Sequence, residues 1–331
     1  MIDLNRYEPR PTKAGRLFAT TDLNRDWQFA SADALIEWVK GGAATCPDAG
    51  HPLPHDPELP LLYRGQADVN YGFTSSLYRL VRQQRPGPRR VVGLADDMRR
   101  AEAAILMAVK SEGLGRGLRD IELLALLQHH GVPTRMVDVS YGALEALFFA
   151  VNESDARPGR FFAIALNNPY PDSGITNWHN PNVPWGPVDA DPNAQHRWNN
   201  SVICFPVPPR DEFSPPWAFD ARMRAQKGTF LFGGLNDEPP ARSIPRQVGL
   251  ADFADVRSQS ITFIGSSHEP ASRPATAWSI AVPAAWKEHI RRVLRDKHDL
   301  SMDSVYPAVD GMRRLALHVA RLSLQRGLPD Q

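Results

Sequence analysis

Six polar side chains crowd into the short span between two apolar helical patterns: His129, His130, Thr134, Arg135, Asp138 and Ser140. Two imidazoles can move a proton near neutral pH. A carboxylate can accept a proton or face developing positive charge, a guanidinium can grip an anion, and two hydroxyls can orient a sugar or an amide. Arg64-Gly65-Gln66, at the end of a short apolar run, adds a second group of the same kind. An arginine there is costly to desolvate unless an anion meets it, and a glycine beside it lets a ligand or another backbone come close. Each residue also has a structural reading. Asp138 or Ser140 can cap the following helix, Arg135 can pair with Asp138, the histidines can close a helix end, and Arg64 can bridge to Asp138 or Asp68.

Two helices hold the cluster. In ELLALLQHH, Leu123, Leu127 and His130 share one face, with Leu124 and Gln128 on the adjoining one. Gly131 stands where a left-handed C-terminal cap is wanted, and Pro133 follows it. The second pattern repeats at Leu144, Leu147, Phe148 and Val151. Upstream, the sequence predicts a helix within Trp27 to Val39 capped by Ser31 or Asp33, a buried strand from Leu61 to Tyr63, and a helical turn from Ser75 to Arg82. A long helix follows from Leu94 to Leu118, with Met98, Ala101, Ile105, Ala108 and Val109 inward. Downstream, strands are expected at Arg160–Leu166, Val202–Val207, near Phe230, at Ile261–Ile264 and at Trp278–Val282, and surface helices at Trp286–Leu294 and Met312–Leu322.

No composition boundary divides the chain, so the reading is an extended arm over 1–24 and one α+β domain over 25–331, a single mixed or antiparallel sheet flanked by helices. Within it, 167–200 is aperiodic and rich in Trp, Asn and Pro, which fits a lid or insertion. A net charge of +1 argues against a strong polyanion footprint. Cys46 and Cys204 have no paired spacing, and His51 with His55 lack a third ligand nearby, so no metal site is expected. No apolar stretch of signal or membrane-spanning length occurs, and a cytoplasmic protein without membrane association is expected. Walker, GxGxxG, HExxH and GxSxG motifs are absent.

QHHGVPTRMVDVSYGALEALFFAV resembles the signature of the FRG family, QHxGxPTRLLDxT followed by an Ala-rich helix. LLYRGQ at 61–66 with SSLYR at 75–79, and VYPAVDG at 305–311, resemble that family's N- and C-terminal signatures in the expected order. Met136-Val137 replaces Leu-Leu, and Ser140 replaces Thr. YRG at 63–65, DVSYGALEALFFA at 138–150 and AQKGTF at 225–230 also resemble the three-part pattern of ADP-ribosyltransferases. That resemblance implies an ADP-ribosyltransferase-like fold and NAD as substrate, with Arg64 on the phosphates and Thr134 and Ser140 near the ribose or nicotinamide. Gly65, Gln66, Arg135 and Gln226 complete the cofactor-binding set, and the acceptor is a macromolecule, nucleic acid or protein, as for a toxin or antiphage effector. Gln226 is neutral where many members carry Glu, so Glu122 is the carboxylate expected to face the anomeric carbon, with Glu145 as a substitute. Two other readings stand beside it: a hydrolase built on His129, His130 and Asp138, and a non-enzymatic recognition module.

Overall fold

A computed structural model describes residues 29–45, 61–84, 91–118, 120–166, 202–205, 221–233, 235, 261–263 and 275–306. The arm over 1–24, the insertion over 167–200, Cys46, His51, His55 and the helix expected at Met312–Leu322 lie outside them. In chain order the elements are α1 (Ala32–Lys40), β1 (Leu62–Gln66), α2 (Ser76–Gln84), α3 (Val91–Ser111), α4 (Asp120–His129), β2 (Val137–Ser140) and α5 (Ala143–Val151). Then come β3 (Gly159–Leu166), β4 (Ile203–Phe205), α6 (Ala221–Ala225), β5 (Gly228–Phe232), β6 (Ile261–Phe263), β7 (Ala275–Val282), α7 (Lys287–His298) and α8 (Met302–Val305).

The strands form one sheet in the order β4-β5-β2-β1-β3-β7-β6, antiparallel except for the β6–β7 pair. The α+β reading with a mixed sheet is what the fold shows. All eight residues of β3 are buried, as the apolar run RFFAIAL requires of a strand covered on both faces. Its side chains alternate. Phe161, Ala163 and Ala165 join Tyr63, Trp278 and Ile280 under α1, α5 and α7, while Phe162, Ile164 and Leu166 pack with Leu62, Val137, Val139 and Leu231 on the opposite face. Beyond β2 the first face continues as a second cluster, where Leu123 and Leu124 of α4 and Met223 of α6 cover Phe230 and Phe232 of β5.

The sheet is not evenly stitched. β1 pairs with β3 from Leu62↔Ile164 to Gln66↔Arg160, and β2 pairs with β5 from Val137↔Leu231 to Ser140↔Gly228, but β1 and β2 share only Tyr63↔Ser140. Two half-sheets therefore meet at one residue pair and part beyond it. Helix α5 seals the junction on one face, lying so close that a Cβ on Gly65 would stand 1.8 Å from the Ala146 carbonyl oxygen and one on Gly159 2.0 Å from that of Ala150. The close approach that Gly65 permits is thus, first of all, that of a helix backbone.

Several elements depart from the sequence reading. β2 falls where a polar turn was expected, so Asp138 is in a strand and caps no helix; Gly142 is the N-cap of α5, with no side chain bonding there as a cap. On α4 the buried residues are Ile121, Leu123, Leu124 and Ala125, whereas Leu127 is half-buried and His130 exposed. On α3, Ala108 is exposed and Leu106 takes the inward place. The expected caps at Ser31, whose hydroxyl accepts from the Ala34 amide at 3.2 Å, and at Gly131, with φ of 81°, are present.

Candidate functional site

Where the half-sheets part, a cavity of about 510 Å³ opens. Its walls come from β1 (Arg64), the end of α4 (Gln128, His129), β2 (Asp138, Ser140), α5 (Phe149), α6 with its following residue (Arg222, Gln226), and Tyr306 after α8. The volume lies within the ~300–1,000 Å³ of small-molecule sites.

Arg64 spans the opening. Its Nη1 donates to the backbone carbonyl of Asp138, filling in for the ladder that β1 and β2 do not continue, and its guanidinium lies 5.8 Å from the centre of the Phe73 ring. Its Nε is buried with no protein partner. Burial pulls the guanidinium down to about 10; the Asp138 carboxylate pushes it up, and the nearby Arg79 charge pulls it further down.

Asp138 is held from the other side. Its Oδ2 accepts from Gln128 Nε2 at 2.8 Å, and Gln128 Oε1 in turn accepts from the Thr134 hydroxyl at 2.7 Å. The Thr134 Oγ1 also accepts from the Met136 amide at 3.1 Å, and its own amide donates to Ser76 Oγ at 3.1 Å. The buried threonine therefore sets the glutamine amide, and the glutamine sets an exposed carboxylate. Ser140 reaches across to the third segment: its Oγ donates to the Gln226 carbonyl at 2.8 Å and accepts from the Gly142 amide at 2.9 Å. The Gln226 side-chain amide donates to the Val305 carbonyl at 3.3 Å. His129 and His130 stand edge to face at the rim, ring centres 5.5 Å apart. Arg222 lies 5.0 Å from the centre of the Tyr306 ring, which meets Phe149 edge-on at 6.3 Å.

Of the residues the sequence singled out, Arg64, Gly65, His129, His130, Asp138, Ser140 and Gln226 line this cavity; Glu122, Gln66, Thr134 and Arg135 do not. Arg135 is buried and donates through Nε to Glu102 at 2.6 Å. Asp68 pairs with Arg157 at 2.5 Å rather than with Arg64. Gln66 is buried and donates to the Gly72 carbonyl at 3.1 Å. Glu122 sits in the first turn of α4, about 10 Å along the axis from His129 at the cavity end. Glu145 is buried beside Lys227, 2.8 Å away. Asp138 is therefore the one carboxylate among the described lining residues. Gln128, Phe149, Arg222 and Tyr306 were not singled out as site residues, although Gln128 opens the QHHG motif and Tyr306 lies in the YPAVDG one. Among the described residues no His/Cys/Asp/Glu group could hold a metal ion, and no helix is long and apolar enough to cross a membrane.

The FRG domain family model matches residues 60–158, which run from the residues before β1 through α5. The chain carries an FRG domain there, and that domain contributes the Arg64, α4 and β2 walls of the cavity. No curated protein and no solved structure matches the chain.

Proposed function

We propose that the cavity binds NAD and that the protein is an ADP-ribosyltransferase-like enzyme that moves the ADP-ribosyl group to a macromolecular acceptor. One observation carries the reading: Arg64, Ser140 and Gln226, from three separated segments, stand around one cavity on adjacent strands β1 and β2 and at the entry to β5. These are the segments whose residues resemble the three-part pattern of that enzyme class.

The chemistry fits the groups present. In the reaction the bond between the nicotinamide nitrogen and the ribose anomeric carbon breaks, and its electron pair leaves with neutral nicotinamide. Positive charge grows on the sugar, and a carboxylate in a partly enclosed cavity stabilises it. Asp138 supplies that carboxylate, kept in place by Gln128. Arg64, with its Nε donor unmet by protein, takes the phosphates. The Ser140 hydroxyl orients the nicotinamide end, and Phe149 with Tyr306 offers it an aromatic wall. The acceptor's nucleophile then bonds to the anomeric carbon, and its proton passes to His129 or His130 at the rim. Two cations, Arg64 and Arg222, face one carboxylate among the described lining residues, a balance that suits an anionic ligand.

The test incubates the purified protein with NAD labelled separately in the nicotinamide and adenylate moieties, together with a cell lysate. Nicotinamide release with adenylate label retained on macromolecules is the expected result. Release without retention makes water the acceptor, and neither release nor binding removes the reading.

A further inference from the structure

A second cavity of about 210 Å³ adjoins the first and shares Arg64, Gly65, Phe149 and Tyr306 with it. Its own walls include Arg79 and Thr74, and Arg79 belongs to no part of the site described so far. Arg79 donates through Nη1 to the Thr74 carbonyl at 2.5 Å, and its Nε, like that of Arg64, is buried with no protein partner. A guanidinium N–H with no acceptor is costly, and the two arginines that carry one both line this small space. The two guanidiniums are near enough for the charge of Arg79 to oppose protonation of Arg64. Glu153 is the one carboxylate among the described residues of this cavity, and it is exposed. Two wall segments are tied together: buried Lys287 donates to the carbonyls of Ala67 and Glu153, both at 2.7 Å.

We propose that the second cavity is a phosphate subsite in which Arg79, acting with Arg64, holds the diphosphate of a dinucleotide whose glycosidic bond lies in the main cavity. Two guanidiniums lining one pocket, with Glu153 the single carboxylate among its described residues, are what an oxyanion with several acceptor oxygens satisfies. Arg64, common to both cavities, stands at the point where the ligand passes from one to the other. The identity of the ligand rests on the NAD reading; the anion subsite does not.

Calorimetry on the full chain with inorganic pyrophosphate, and separately with NAD, tests it. Wild type is expected to bind both, and Arg79→Gln to weaken both by about tenfold or more, as loss of a charge-assisted contact does. Arg79→Lys should recover part of the loss, and KM for NAD should rise more than kcat falls. Ala67→Glu adds a carboxylate at another residue lining the same cavity and keeps both Arg79 and Thr74, and should weaken pyrophosphate equally; it decides the matter if Arg79→Gln does not fold. Failure of wild type to bind pyrophosphate, or binding that both variants leave unchanged, overturns the subsite. Pyrophosphate binding lost in the variants, with no binding of NAD to wild type, supports the subsite and removes the dinucleotide reading instead.

Discussion

The hydroxyl of Ser140 donates to the backbone carbonyl of Gln226 at 2.8 Å, joining residues 86 positions apart at the floor of the cavity. The bond ties the end of β2 to the entry of β5 beside the single Tyr63↔Ser140 pair that links the half-sheets. Ser140 therefore has a structural duty as well as the ligand role proposed for it. Ser140→Ala should cost about 0.5–1.5 kcal/mol in denaturant unfolding, and more if the Gln226 carbonyl finds no water. Ser140→Thr, the residue the family signature carries there, keeps the hydroxyl and should lose less.

Stability and chemistry separate at two arginines. Arg135→Ala breaks the buried ion pair with Glu102 and should cost about 3–5 kcal/mol, enough to lower expression. Arg64→Gln loses one hydrogen bond to a carbonyl but also removes a cation that burial disfavours, so its stability should stay within about 1 kcal/mol of wild type. Unfolding by urea at pH 7 compares them. A loss at Arg64 as large as that at Arg135 would make Arg64 a structural group.

The same arginine carries a pH signature. Its folded-state value of about 10 lies well below the ordinary guanidinium range, so the fold disfavours its charged form. That cost is fully present below about pH 10 and fades as pH rises from there towards the unfolded value. Relative to Arg64→Gln, wild type should therefore gain stability between pH 9 and pH 11 in urea titrations. A difference that stays flat, or moves the other way, removes the burial argument.

Gly65→Ala should be among the more damaging small substitutions, because its Cβ would meet the Ala146 carbonyl oxygen at 1.8 Å and the Ala150 amide nitrogen at 2.5 Å. Helix backbone cannot rotate away as a side chain can, so the cost should reach or exceed about 1–3 kcal/mol. Phe148→Ala, a buried truncation on the same helix, should cost about 3–5 kcal/mol. Thermal unfolding of the two variants checks both.

Much of this was legible in the residues. The continuous apolar run RFFAIAL marks β3 as a strand buried on both faces, and Gly131 before Pro133 marks the end of α4. Arg64, Asp138, Ser140 and Gln226 are recognisable by type and by family resemblance, and they line one cavity. What escaped is local and has physical causes. β2 is four residues long, and VDVS between two Thr/Arg-rich and Gly-containing turns reads as polar loop, although Val137 and Val139 alternate with Asp138 and Ser140 as a strand requires. Arg135 and Arg64 look alike in sequence; the ion pair of the first with Glu102, 33 positions earlier on α3, shows only in the fold. Glu122, the carboxylate expected at the sugar, does not line the cavity, because α4 points its other end there. Arg222 carries no local signal that tells a wall residue from a surface one, and Tyr306 carries only its place in the YPAVDG motif.

The most direct measurement is nicotinamide release from NAD by wild type, Arg64→Gln and Asp138→Asn at equal concentration with lysate present. The account expects wild type to release nicotinamide, Arg64→Gln to lose binding and release together, and Asp138→Asn to bind NAD but release at least about a hundredfold more slowly, the scale of one preorganised electrostatic contact. Release by wild type that neither substitution changes would contradict the assignment of this cavity, and no release with no NAD-induced stabilisation would contradict the activity itself.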